Sequence, residues 1–293
     1  MHVFLNGRFV PEAEAVVSVF DRSFLYGDGL FETLRVHGGR PFAWAEHMER
    51  LQRGAEFLRL RVPYMPDELR DFAGQLITLN QMPEAVLRLT LSRGVGPRGY
   101  SPRGADQPVL VMTLHPAPAI DPLHPPQWRL ITASVRLPAG EALAQFKTCN
   151  KLPQILARAE AGEAGADEAL LLNTDGFVAE AASSNLFWVA DGAVCTPPLE
   201  VGALPGVMRG VVLEICREIG LPTREVSPRL EELRRAEGVF LTLSTLGAVE
   251  AVALDGAELA RSPLVATIRV AHDAKVRAAA RRGASLMSER RGC

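Results

Sequence analysis

Five prolines crowd the segment between His115 and Gln127: Pro116, Pro118, Pro122, Pro125 and Pro126. Each fixes φ and removes a backbone donor, so the segment can be neither a helix nor a central strand. It divides a 293-residue chain that is long enough for two modest domains. The division expected is an N-terminal α/β domain over 1–115, a proline-rich linker over 116–127 and a C-terminal domain over 128–293.

Hydrophobic periodicity predicts the elements on either side. Val3 to Val10 alternates about Asn6-Gly7, the pattern of a hairpin with a primed turn. Leu30 to Val36 reads as a strand, followed by an amphipathic helix over 43–61, a second helix over Pro66–Asn80, and strands over Val86–Ser92 and Val109–Leu114. Beyond the prolines come a strand (Trp128–Val135), a helix (Pro153–Glu163), four strands between Ala169 and Thr196, a helix (Val207–Ile219) and a final strand (Gly238–Leu243). Arg261 to Cys293 is helical in composition and then basic, with an end expected to fray. The whole predicts an α+β protein of two lobes, the second richer in strands.

Charge and cysteine usage narrow the function classes. With 32 basic and 34 acidic residues, the chain carries no electrostatic footprint for nucleic acid. No apolar run approaches a membrane span. Cys149, Cys195, Cys216 and Cys293 have no metal-ligand spacing and read as reduced thiols; with no basic, apolar leader at Met1, a cytoplasmic location is expected.

Only three of the 32 basic residues are lysine, Lys147, Lys151 and Lys275. A coding bias toward arginine accounts for the total, but not for two survivors within five residues. Lys147 follows the nearly apolar Leu143–Phe146. Desolvation disfavours an ammonium, and the lowered pKa suits an amine that condenses with an aldehyde, although a lone lysine is more often a surface residue. Glu180 shares a strand face with Val178, so it is either a buried carboxylate that needs a partner or an exposed one. Pro205-Gly206 precedes a helix whose first amides, at Val207 and Met208, suit a phosphate, and Thr242, Ser244 and Thr245 offer hydroxyls for the same task. Gly94-Val95-Gly96-Pro97-Arg98-Gly99 matches a dinucleotide fingerprint, but Tyr100-Ser101-Pro102 cannot open the helix that fingerprint requires. With Arg93 and Arg98, the segment reads instead as an anion-binding loop or an ordinary glycine-rich turn.

Together these residues resemble the fold-type IV pyridoxal-phosphate enzymes. The resemblance rests on Tyr26-Gly27-Asp28-Gly29-Leu30-Phe31-Glu32-Thr33, His47-Met48-Glu49-Arg50-Leu51, Lys147-x-x-Asn150, Ala166-Asp167-Glu168-Ala169-Leu170, Glu180 and Pro205-Gly206-Val207-Met208-Arg209, in family order. Within the family, Arg98-Gly99-Tyr100-Ser101, Lys151 and Met208 are similar to the 4-amino-4-deoxychorismate lyases. Branched-chain, D-amino-acid and (R)-amine transaminases remain the alternative, and a non-catalytic cofactor-binding paralogue a third, against which the joint presence of Lys147 and Glu180 argues.

The resemblance implies that Lys147 is catalytic and carries pyridoxal 5'-phosphate as a Schiff base. It implies that Glu180 pairs with the pyridine nitrogen, and that Arg50, the amides of Val207 and Met208, and Ser244 or Thr245 hold the phosphate. Tyr26, Glu32, Arg98 and Tyr100 would meet a small amino substrate bearing a carboxylate. For the lyase, the freed lysine would remove a ring proton as the enolpyruvyl group leaves, giving 4-aminobenzoate and pyruvate. The Arg98 loop of the family reaches a neighbouring subunit, so a homodimer is implied.

Overall fold

The computed structural model describes residues 1–119 and 124–290, with side chains to residue 280. The chain separates into two compact units. The first holds Met1–Pro118, Phe146–Asn150 and the C-terminal helix from Val276; the second runs from Ala119 to Gln145 and from Lys151 to Lys275. The expected 128–293 domain is thus interrupted, because five residues around Lys147 pack with the first unit. Part of the expected linker, residues 120–123, lies outside the described residues.

The first unit is a six-stranded sheet. β1 (His2–Leu5) and β2 (Arg8–Pro11) form the expected hairpin, with Asn6 and Gly7 both at positive φ, as a primed turn requires. α1 (Arg22–Tyr26) leads into β3 (Gly29–His37) and the short β4 (Arg40–Pro41); α2 (Trp44–Leu58) and α3 (Pro66–Asn80) precede β5 (Ala85–Ser92) and β6 (Val109–Pro116). The order is β2-β1-β6-β5-β3-β4. Pro116 ends β6 beyond the reach of β1, which pairs only at Val111 and Met112, so the proline interrupts no central ladder. Alternation sends Leu30, Leu34 and Val36 of β3 and Leu87, Leu89 and Leu91 of β5 to one face, where Met48 and Leu51 of α2 and Leu69 and Leu76 of α3 complete the core.

The second unit holds a nine-stranded sheet. β7 (Gln127–Leu137) is followed by α4 (Leu152–Glu163), β8 (Glu168–Asn173), β9 (Val178–Ala181), β10 (Asn185–Ala190) and β11 (Ala193–Thr196). Then come α5 (Val207–Glu218), β12 (Thr223–Glu225), α6 (Leu230–Arg234), β13 (Gly238–Leu243), β14 (Gly247–Leu254), β15 (Ala257–Glu258) and α7 (Pro263–Arg290). The path is β12-β11-β10-β13-β14-β7-β8-β9, with β15 on β14. β7 and β8 are parallel and need a crossover, which α4 supplies, packing Ala157 and Ala161 against Ala133, Ala169 and Leu171. The α+β class holds. Gly238–Leu243 is not the last strand: β14 follows at once and pairs with it. The alanines of β14 hide it from a propensity reading, and its neighbours on both sides set it. The frayed terminus expected of the chain lies outside the described residues. Among the described residues, no helix is long and apolar enough to cross a membrane.

Candidate active site

In the first unit, β3 organises the chemistry. Its N-terminal end pairs with β5 on one edge; on the other it takes up the segment carrying Lys147. Phe31 N donates to Lys147 O at 3.0 Å, Cys149 N donates to Gly29 O at 2.9 Å, and Leu30 bridges Thr148. Asn150 closes the join by donating Nδ2 to Gly27 O at 3.1 Å. Gly27 sits at φ 68°, and a Cβ there would meet Asn150 Oδ1 at 2.4 Å, so this turn admits glycine alone. The motifs around Gly27 and Lys147, distant in sequence, thus meet as one piece of backbone. Lys147 is half-buried, with Nζ 4.7 Å from the centroid of the Phe31 ring; the Arg88 guanidinium carbon lies 4.0 Å from the same centroid.

Residues on the opposite face of β3 differ from expectation. Glu32 is 1% exposed and does not present itself to a substrate. Its carboxylate accepts from Arg50 Nε at 2.8 Å, from Arg50 Nη2 at 2.6 Å and from His47 Nδ1 at 2.7 Å. Burial pushes its pKa up, but the charge and hydrogen bonds of Arg50, with those of His47, prevail and hold it at about 2. For His47, burial prevails over the attraction of Glu32 and lowers the pKa. Arg50 is therefore a buried guanidinium oriented by a bidentate carboxylate. The reading of Glu32 as a substrate contact is corrected to one of holding Arg50.

The anion-loop reading also needs revision. Arg93 is buried; it donates Nε and Nη2 to Asp28 at 2.7 and 3.0 Å and reaches Leu58 O and Arg59 O. Asp28 is shared with Arg22 Nε at 2.8 Å. Burial raises the Asp28 carboxyl, and the two arginines more than reverse this. Arg98 and Tyr100 are exposed, Tyr100 at 88%. Tyr26 lies beside them, its hydroxyl accepting from Gly99 N at 3.2 Å and its ring 5.7 Å from that of Tyr100. As expected, no helix opens at Gly99.

The second unit gathers Glu180, Val207 and Met208. Glu180, 9% exposed on β9, accepts from Leu204 N at 2.9 Å, while Asn185 Nδ2 donates to Leu204 O at 2.8 Å. This clamp on the amide and the carbonyl of one residue, Leu204, sets the approach to α5. Gly206 is the N-cap and no side chain caps the helix, so the amides of Val207 and Met208 keep their anion-binding potential. A Cβ at Gly206 would meet Asn185 Oδ1 at 1.8 Å. Strand register sets Asn185 opposite Thr242, and Ser244 and Thr245 form the turn that follows. Ser184 Oγ and Thr242 Oγ1 are buried without a hydrogen-bond partner, which a bound polar group would satisfy. Glu168, wholly buried on β8, accepts from both the hydroxyl and the amide of Ser183 and so fixes the β9–β10 turn.

The remaining lysines are placed too. Lys151 is the N-cap residue of α4, and Lys275 joins α7 to α5 through Glu214 and Glu218 at 2.9 and 2.8 Å. Sequence reasoning passed over Arg22, Asn185 and the Glu32–Arg50 pair. The partners of Arg22 in the Gly99 loop lie 77 to 79 residues away, a separation that leaves no local signal.

Residues 29–254 match the amino-transferase class IV family. A putative branched-chain-amino-acid aminotransferase of Methanocaldococcus jannaschii is 37% identical over 257 residues, 87% of this chain and 88% of that protein. The aminodeoxychorismate lyase of Bacillus subtilis is 34% identical over 247 residues, 83% of each. The crystal structure of a branched-chain aminotransferase from the archaeon Thermoproteus uzoniensis, with norvaline, superposes with a TM-score of 0.88 at 30% identity, covering 94% of this chain and 95% of that one.

Proposed function

The chain belongs to the class IV aminotransferase family of pyridoxal-phosphate-dependent transaminases and lyases, and within it we propose an aminodeoxychorismate lyase, releasing 4-aminobenzoate and pyruvate. The observation that carries this reading is the Arg98-Gly99-Tyr100 loop, which leaves a guanidinium and a phenol exposed for a carboxylate-bearing substrate, in a chain 34% identical to such a lyase. The 37% identity to the Methanocaldococcus jannaschii protein favours a second reading, a branched-chain transaminase. Among the described residues, Cys195 and Cys216 form no disulfide, which supports a cytoplasmic enzyme.

The residues present fit pyridoxal phosphate: a lysine beside an aromatic ring, a buried carboxylate, an uncapped helix N-terminus and two buried hydroxyls without partners. Lys147 would carry the cofactor, Glu180 its ring nitrogen, and Arg50, the Val207 and Met208 amides and the Ser244–Thr245 turn its phosphate. When bound, the cofactor supplies an electron sink for charge left on the substrate. Lys147 Nζ then takes and returns the substrate proton as general base and acid. Glu180 is kept in place by the Leu204 amide and Arg50 by Glu32, so neither must reorganise as charge develops. Arg98 and Tyr100 receive the carboxylate.

A homodimer is part of the proposal. In the first unit Val16, Val19, Phe20 and Phe24 are exposed; in the second, α4 exposes Leu152, Ile155 and Leu156. Apolar surface of this kind is expected under a second copy. The functional test is pyruvate release from 4-amino-4-deoxychorismate, run beside pyruvate-consuming transamination with D-alanine, L-leucine and (R)-phenylethylamine. Release in the first and silence in the others is expected; the converse would establish the transaminase.

A further inference from the structure

Arg22 stands outside every role assigned above, yet it is 3% exposed and each nitrogen of its guanidinium donates a hydrogen bond. Nε donates to Asp28 at 2.8 Å, Nη1 to Gly99 O at 2.9 Å and to Ser101 O at 3.2 Å, and Nη2 to Tyr100 O at 3.1 Å. Its Cζ lies 5.0 Å from the Tyr26 ring centroid, and the Tyr26 hydroxyl takes the Gly99 amide. Behind Arg22, Arg93 anchors Asp28 to the carbonyls that end α2. Gly96 makes room for this side chain: a Cβ there would meet Ala105 Cβ at 2.6 Å and Arg22 Cδ at 3.1 Å.

The arrangement has a geometric consequence. Successive carbonyls of an extended strand point in opposite directions. Here those of Gly99, Tyr100 and Ser101 converge on one planar group, with Gly99 at φ 107° to allow the curl. The backbone is turned inward, and the side chains of Arg98 and Tyr100 are left outward and exposed. We propose that Arg22 is a specificity-determining positioning residue, fixing where Arg98 and Tyr100 meet the substrate carboxylate by gathering the three carbonyls of their loop. This rests on the reading of Arg98 and Tyr100 as carboxylate ligands.

Arg22→Lys is the discriminating variant. An ammonium keeps the charge opposite Asp28 but has no planar fork to spread over three carbonyls. In the holoenzyme, amide hydrogen exchange in peptides covering 95–104 is expected to accelerate about tenfold, the loss of one charged hydrogen bond. KM for the amino substrate turned over in the assay above should rise about tenfold, with kcat and cofactor affinity held. Exchange in β5 and β6 reports any wider loss of fold; if that occurs, Tyr26→Phe, which removes only the acceptor for Gly99 N, must by itself loosen 95–104. Arg98→Ala is the companion, expected to raise KM with wild-type exchange. Unchanged exchange in both Arg22→Lys and Tyr26→Phe overturns the clamp. Faster exchange with wild-type KM in Arg22→Lys, while Arg98→Ala raises KM, overturns the link to specificity and spares the carboxylate reading. An Arg98→Ala variant with wild-type KM removes the carboxylate reading itself, and the specificity role of Arg22 with it.

Discussion

Replacing Glu32 by glutamine tests whether the buried Glu32–Arg50–His47 cluster is an ion pair held for its geometry. The Glu32 carboxyl has an ordinary value of 4.5 and lies at about 2 in the fold. At about 1.4 kcal/mol per unit, that difference is worth about 3 kcal/mol of stability. The folded value is depressed, so this stability is fully present above pH 4.5 and is lost as pH falls from 4.5 toward 2. His47 acts earlier: its folded value lies below 6.5, so the unfolded chain takes up that proton first and stability begins to fall below pH 6.5. Glutamine keeps the shape of the side chain but leaves Arg50 buried without a counter-charge, a change that costs about 3–5 kcal/mol. Urea unfolding at fixed cofactor concentration, from about pH 8 to about pH 2 (roughly the window the two groups span), is the assay. The variant should be destabilised by that amount at neutral pH and should lack the share of the acid loss that belongs to Glu32. Its cofactor affinity should fall as well, because Arg50 is no longer oriented. A variant within about 1 kcal/mol of wild type, with the same acid profile, would refute the reasoning and reduce the cluster to incidental packing.

Other substitutions follow from the same geometry. Lys147→Ala should abolish the visible absorbance of bound cofactor and its bleaching by hydroxylamine; retention of either removes Lys147 from its role. Gly206→Ala drives a Cβ to 1.8 Å from Asn185 Oδ1, so the Leu204 clamp must open; cofactor affinity should drop at least about tenfold, the effect of losing one or two hydrogen bonds to an anion, as read by fluorescence titration. Gly27→Ala combines φ 68° with a 2.4 Å approach to Asn150; thermal unfolding should show about 1–3 kcal/mol of destabilisation, and an unaltered midpoint would mean that Asn150 does not hold the Lys147 segment.

The elements were legible where one physical signal dominated. Pro66 at the first turn and Asn80 near the last bound α3 at the residues expected, and Asn6-Gly7 specified its hairpin. Chemistry was legible as residue type: a lysine in an arginine-rich chain, a carboxylate on a strand, a Pro-Gly before a helix. β14 was not, because alanine carries little β preference and two neighbouring strands decide its pairing.

What sequence alone determined is therefore the list of groups able to do the chemistry, since residue type sets what can condense, titrate or donate. Arginine cannot replace Lys147 in the proposed role, because its guanidinium stays protonated. Which groups are spent on the fold was decided by tertiary structure. Glu32, Arg93 and Arg98 look alike as charged residues of signature motifs, yet the first two are consumed by Arg50 and Asp28 while Arg98 stays exposed. The cause is desolvation: a charge carried inside must find its partner there, and that partner can lie anywhere along the chain.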